Sequence, residues 1–392
     1  MQTSRCVVIR EEYIMWYMND ERKMLKEMVK EFTQNEVKPF IPRMENDEYP
    51  KDILKKMGEI GLLGLIHEEK YGGSGVDWIS FGLVIEEIAK ESNTLALLTS
   101  LATDVTVAMI KDLCTPEQVD KFVKPAIKGD ILLACWATEP CGIFNLAEYE
   151  TTAVRDGDDW IINGGKIFAT NGSVADYGFA LCKTGEFNPE TMEGLTFFMI
   201  PTAADGFSSG HAEHKLGWKG TDTNQVYFDS IRLSDAYRIG PVDKAAPVLI
   251  HETIAGYTLY GAFTLGSAEG VYEKTRKYLA ERIQNGKSLW ETHQVIRNDM
   301  AKLWAMIENF KGAVYTALDC QNKGEDVTTK AIALKLQGME LMNEVSKECI
   351  LLHGGTGTVL ETDIERYYRD SIMTGIGCGS NKTLVDFLSN FI

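Results

Sequence analysis

The hydrophobic period of this chain changes twice along its length, and that change limits what it can fold into. Apolar residues recur at helical spacing from Asn19 to about Lys128. A helix buries one face every 3.6 residues, whereas a strand buries every second residue. Near Gly129-Asp130 the pattern shortens to strand-length runs, and after Gly240-Pro241 it returns to helical spacing and stays there. No internal repeat or low-complexity segment interrupts this order. With 392 residues, 44% of them hydrophobic, the chain can build two or three domains with real cores. The helical–β–helical order reads as one compact unit with a β insert, not as beads on a linker.

Local signals mark the element ends. Pro50 stands where a first helical residue belongs, and Ile53, Leu54, Met57 and Ile60 follow at helical spacing. Thr115-Pro116-Glu117-Gln118 joins a capping box to a proline at the first helical position. Residues 68–75 read as a loop by their glycines. Residues 131–138 form a short apolar run, and 152–155 and 160–162 flank Asp156-Gly157-Asp158-Asp159 as a hairpin. Strand-length runs continue at 179–183, 195–201 and 224–233. Helices are expected over 261–283, 295–322, 327–352 and 362–369. These signals divide the chain into an extension at 1–17, a helical domain at 18–130, a β domain at 131–240 and a helical bundle at 241–392. The extension mixes apolar and charged residues, lacks the apolar core of a signal peptide, and reads as a disordered or mis-called start.

Charge excludes some functions. Forty Lys+Arg against 57 Asp+Glu give a net charge of −17, which disfavours nucleic acid and anionic membrane surfaces. No run of 18 apolar residues occurs, which argues against a membrane span. The eight cysteines are scattered with no C-x-x-C, so a disulfide scaffold or structural zinc site is not expected and a reducing cytoplasm fits. The six histidines show no metal-ligand spacing, and no P-loop, G-x-G-x-x-G, H-E-x-x-H or G-x-S-x-G occurs.

The motifs that do occur are weak singly and informative in order. Thr138-Glu139-Pro140 ends the first strand of the β domain, and residues 163–172, Asn-Gly-Gly-Lys-Ile-Phe-Ala-Thr-Asn-Gly, follow the hairpin. Arg282-x-x-x-Gly286 precedes His293-Gln294, and His353-Gly354-Gly355-Thr356-Gly357 precedes Arg369-Asp370. On a helical–β–helical chain, this set resembles the acyl-CoA dehydrogenase family from Asn19 to the C-terminus. The resemblance implies an N-terminal all-α domain, a middle β-barrel-like domain and a C-terminal four-helix bundle. It also implies FAD as cofactor, an acyl thioester (CoA) as substrate, electron-transferring flavoprotein as electron partner, a place in fatty acid metabolism, and a homotetramer or homodimer.

On the flavin side, the resemblance assigns Thr138 and Thr170 to the isoalloxazine ring, where a hydroxyl can donate or accept. It sets Phe168 against the ring, in the place of a common Trp. Arg282 matches the residue that reaches a partner subunit's FAD pyrophosphate, where a guanidinium fork suits paired phosphate oxygens. Gln294 fits the adjoining adenosine contact if one residue is inserted after Gly286. Gly354 and Gly355 would admit the pyrophosphate, and Ser380 replaces a Thr near the ribityl end. Asn285 and Leu351 depart from the family's Phe and Gln.

The substrate side departs further. The usual catalytic Glu before a Gly-Thr/Ser pair is Cys378, and the alternative Glu, ten residues before the position of Gly266, is Gly256. The CoA-holding Arg beside it is Tyr257, and the hydroxyl of the loop after T-E-P is Phe144. An ordinary thiol, with a pKa of about 8.5, is only roughly 3% thiolate at pH 7, and no cation stands near Cys378 in sequence. Cys378 and Glu252, one helical turn before Gly256, are the candidate acid–base groups. The Cys378 backbone N–H can still polarise a thioester carbonyl, as the family's base residue does with its own N–H. Three readings stay open. The first is an FAD-dependent oxidoreductase on an atypical acyl thioester or in the reductive direction, or one eliminating a β-leaving group. The second is a non-catalytic, FAD-site-completing subunit of a heteromer. In the third the substrate is held by a carrier protein.

Overall fold

The computed structural model describes residues 15–391. Most of the expected extension lies outside them, but its end is no loose tail: Tyr17 is buried, its ring stacked on Tyr315 with centroids 3.7 Å apart.

Four principal helices build the first domain: Asp20–Phe32, Lys51–Glu59, Trp78–Glu91 and the continuous stretch Asn93–Lys111. Asn19 caps the first by accepting from the Arg22 N–H at 2.8 Å. The second starts one residue later than the proline suggests, because Pro50 keeps a non-helical ψ of 51° and serves as the cap. Its Ile53, Leu54 and Met57 are buried, but Ile60 is 49% exposed. The helix ends at Glu59 and Gly61 turns the chain in a left-handed conformation, so Ile60 leaves the buried face. The Thr115 capping box forms with both of its hydrogen bonds. The Asn93–Lys111 helix is long and apolar enough to cross a membrane, but 89% of its apolar stretch is buried inside the protein.

The middle domain is an eight-stranded sheet. Its strands are β1 (Leu133–Trp136), β2 (Thr152–Asp156), β3 (Asp159–Thr170), β4 (Tyr177–Asn188), β5 (Glu193–Pro201), β6 (Phe207–Ser209), β7 (Thr223–Ser234) and β8 (Arg238–Ile239). The spatial order is β6-β7-β3-β2-β4-β5-β8, with β1 parallel to β4. The expected hairpin closes with Asp156 opposite Asp159 across a left-handed Gly157.

The last domain packs Tyr257–Glu281, Gln294–Asn322 and Thr328–His353 with Glu365–Thr374 across them. Phe263, Leu265, Val314, Leu318 and Val345 are almost fully buried between these helices and Trp78–Glu91. Each such side chain contributes about 1.5–3 kcal/mol of burial free energy. Gly266 lets Tyr257–Glu281 cross the Glu86 carbonyl so closely that any Cβ would collide with it. One apolar core therefore joins the first and last domains, and the sheet packs against that helical body.

Candidate functional site

A partly open cleft with an interior volume of about 110 Å³ lies where the three domains meet. The sheet supplies one wall through Cys135, Thr138, Phe168, Thr170 and Asn171. Helices supply the other, through Ser100, Val105, Glu252, Gly256, Tyr257 and Tyr260, and Cys378 joins them from the last loop.

The sheet wall is fixed from beneath. Glu139, in the segment after β1, meets Lys166 of β3 at 2.6 Å, and both side chains are almost wholly buried. Glu139 also accepts from the backbone N–H groups of Glu150 (2.6 Å) and Thr151 (3.3 Å), and Lys166 donates to the Leu181 carbonyl at 2.7 Å. Burial opposes the charge on Glu139, but the Lys166 ammonium and these donors outweigh it and hold the carboxyl below its usual range. The T-E-P glutamate is thus an anchor: the pair ties the Thr138 segment to β3, and the Ile167 N–H donates to the Thr138 carbonyl at 2.9 Å. Between Lys166 and Ala169 the ladder slips its register, and Phe168 takes a φ of 49° with 66% of its surface exposed. An aromatic residue in the left-handed region is a costly conformation that functional sites retain. Here the bulge turns the ring out of the ladder and into the cleft. Beside it, the buried Asn171 side-chain oxygen has no partner among the described residues. An exposed ring, two hydroxyls and an unsatisfied acceptor suit a flat heteroaromatic group that brings its own N–H.

The helical wall ends in Gly377-Cys378-Gly379. Cys378 has a φ of 54° and Gly379 one of 95°. A Cβ on Gly377 would lie 2.6 Å from the Trp218 ring, and one on Gly379 would lie 2.7 Å from the Phe144 ring. Phe144 therefore serves as the packing surface of this loop. The Tyr257 hydroxyl donates to the Cys378 carbonyl at 2.5 Å, and Lys335 donates to the Gly379 carbonyl at 2.8 Å and to the Asn381 side chain at 3.2 Å. With both sides pinned, the Cys378 N–H has no partner among the described residues. Lys335 is the cation that sequence proximity does not reveal; it comes from the Thr328–His353 helix. Burial nevertheless pushes the Cys378 thiol up, against the pull of the Tyr260 hydroxyl and Lys335, so it stays protonated at neutral pH. The same burial pulls Lys335 down to about 8.

Glu252 sits on Ala245–Ala255, one turn before Gly256, as its spacing predicts. It is about one-third exposed at the cleft and contacts His251 Nδ1 at 3.0 Å. The sequence reading passes over Asp104 of the Asn93–Lys111 helix. Its Oδ1 accepts from Ser100 Oγ at 2.7 Å, and its buried Oδ2 has no partner among the described residues. Burial pushes its carboxyl up to about 7, against the Ser100 and Thr103 hydrogen bonds. The available signal was one acid in the otherwise uncharged stretch 93–110.

The remaining candidates lie outside this cleft. Ser380 caps the Asn381–Leu388 helix, its hydroxyl accepting from the Thr383 N–H at 3.3 Å. Arg282 follows the Tyr257–Glu281 helix and lies 5.9 Å from the centre of the Tyr278 ring, which stacks on His353 beside Gly354. Arg282 and the glycine pair Gly354-Gly355 thus share one end of the bundle, where a Cβ on either glycine would meet only open space. Gln294 opens the Gln294–Asn322 helix nearby in the chain, its amide donating to Asn298 at 2.8 Å.

Comparison with known proteins supplies the frame for this geometry. The acyl-CoA dehydrogenase N-terminal, middle and C-terminal domain families match residues 19–130, 134–231 and 258–392. The chain is 32% identical to the short-chain specific acyl-CoA dehydrogenase of Clostridium acetobutylicum, over 92% of this chain and 95% of that one. It is 29% identical to the CarC subunit of the caffeyl-CoA reductase–Etf complex of Acetobacterium woodii, over 90% and 93%. The solved structure of butyryl-CoA dehydrogenase from Megasphaera elsdenii superposes with a TM-score of 0.90, at 26% identity over 95% and 98% of the two chains.

Proposed function

The chain belongs to the acyl-CoA dehydrogenase family, and from that premise we propose that it is an FAD-dependent oxidoreductase acting at the α,β-carbons of an acyl or enoyl thioester. We place it in the reductive direction or on an acyl group with an unusually acidic α-proton. The observation that carries this reading is the contrast within the cleft. A sheet wall suited to a flavin faces a helical wall whose two usual base positions, 378 and 256, hold a protonated thiol and a glycine.

Thr138, Phe168, Thr170 and Asn171 would hold the flavin ring. Arg282, Gln294, Gly354 and Gly355, exposed at the bundle end, would reach the FAD of a neighbouring subunit in a homotetramer or homodimer. When bound, FAD supplies hydride exchange with the β-carbon. The chain's own part is to hold and polarise the thioester. The Cys378 N–H donates toward the carbonyl oxygen, and such a fixed donor is worth about 3–4 kcal/mol of barrier. The Phe144 ring keeps water from that side of the loop. Electron-transferring flavoprotein is the electron partner that the CarC likeness favours.

The test is to count FAD per chain and then follow the flavin band anaerobically. We expect one FAD per chain, with reduced protein reoxidised by an enoyl thioester such as crotonyl-CoA faster than oxidised protein is reduced by butyryl-CoA. A chain that cannot be loaded with FAD would instead be a subunit completing another chain's site. Loaded protein inert to every acyl and enoyl thioester would end the oxidoreductase reading.

A further inference from the structure

We propose that Asp104 is the group that moves the α-proton of the thioester, a carboxylate carried by the N-terminal domain in place of those missing from positions 256 and 378. This rests on the thioester reading above.

The geometry begins at Gly256, which lines the cleft. A Cβ built there would have Asp104 Oδ2, 3.2 Å away, as its nearest neighbour, followed by backbone carbonyls of its own helix. A side chain at 256 would press on this oxygen, so the carboxylate of the facing helix stands directly behind Gly256 in the cleft wall, one layer back from the residues that line it. Asp104 is only 5% exposed, and its Oδ2 lacks any partner among the described residues. A buried unsatisfied polar atom costs about 1–3 kcal/mol, a penalty seldom retained without a role. The other oxygen is held by Ser100, itself a cleft residue, so the carboxyl is oriented rather than loose. Asp104 also acts electrostatically on Cys378 and Tyr260, which ties it to the loop that offers the carbonyl donor.

The two rival groups are less suited. Glu252 is part-exposed and engaged with His251, and the Cys378 thiol holds its proton. Burial brings Asp104 close to neutrality, where one carboxyl can take a proton and return it. The groups facing it are Ser100, Thr103, Glu252, Tyr260 and Cys378; the two hydroxyls favour its charged form and Glu252 disfavours it.

The step balances without an oxidant. Asp104 carboxylate takes the α-proton, the C–H electron pair passes into the enolate with its charge on the carbonyl oxygen near the Cys378 N–H, and the return transfer restores the thioester. Between the two transfers the carboxyl exchanges its proton with solvent through the cleft, so in heavy water the particle returned to the α-carbon is a deuteron.

The experiment incubates oxidised, FAD-loaded protein with butyryl-CoA in heavy water, without electron acceptor, and reads α-deuterium by mass spectrometry or NMR. We expect the wild-type chain to incorporate deuterium and Asp104→Asn to slow this about 100-fold or more, with FAD content retained and the fold intact by circular dichroism. Glu252→Gln and Cys378→Ala should each lose less. Should Asp104→Asn fail to accumulate, Ser100→Ala serves instead. It removes a hydrogen bond to the charged form, so the pH midpoint of exchange should rise; an unmoved midpoint counts against Asp104. Undiminished exchange in folded Asp104→Asn overturns this proposal and leaves the thioester reading standing. A wild-type chain that exchanges no thioester proton, and whose flavin responds to none, fails at the earlier reading and takes this proposal with it.

Discussion

Side by side, the two walls of the cleft hold their groups by different means. The sheet wall rests on a buried ion pair and a continuous ladder: Glu139, Lys166 and the β3–β7 register set Thr138, Phe168 and Thr170 together. The helical wall rests on single contacts between separate elements, a Tyr257 hydroxyl, a Lys335 ammonium and two glycines wedged under aromatic rings. One wall is a framework that fails as a unit. The other is an assembly of separate contacts, and it holds both positions, 256 and 378, where the usual acid–base groups are replaced.

That comparison breaks most visibly at Lys166. Lys166→Met leaves Glu139 buried and unpaired, at a cost of about 3–5 kcal/mol. We expect a lowered urea midpoint together with loss of bound FAD; a folded, flavin-loaded Lys166→Met would show that the sheet wall needs no such anchor.

A second effect sharpens the contrast through pH. Burial pushes both Asp104 and Asp370 up to about 7. A carboxyl raised in the folded chain holds its proton after the unfolded chain has lost it. Its contribution is therefore complete below about pH 4 and fades as pH rises through 7. For each group the loss amounts to up to about 4 kcal/mol. Melting temperature should fall between pH 5 and 8.5, and Asp104→Asn should fall less steeply. Equal slopes would show that Asp104 is not neutral in the folded chain.

The smallest change falls on one helical-wall contact. Tyr257→Phe removes the bond to the Cys378 carbonyl and should cost about 1 kcal/mol in urea unfolding. FAD content should be unchanged and affinity for a thioester weakened a few-fold. Loss of FAD in this variant would mean that the walls are coupled after all.

What could be read from sequence was local. The Thr115 capping box and the Asp156–Asp159 hairpin are decided within a few residues, and both form as written. The helical–β–helical order follows from periodicity, which survives any tertiary arrangement. Ile60 was misplaced because its spacing fits a helix that Gly61 ends. Asp104 and Lys335 were invisible for another reason. Each sits in an ordinary helix, and its importance lies in a residue far along the chain, Gly256 for one and the Cys378-Gly379 loop for the other. The groups proposed to hold FAD are legible only as motifs in order, since no single one specifies a ligand.

The left-handed turn at Cys378 carries a consequence for how such sites diversify. The loop's shape is dictated by Trp218, Phe144, Tyr257 and Lys335 acting on its backbone and its flanking glycines, not by the side chain at 378. It works like a socket: the amide stays where a carbonyl can meet it whichever fitting the codon supplies. Replacement of the side chain at 378 is therefore uncoupled from the backbone that shapes the turn, so the residue there can change without redrawing the loop.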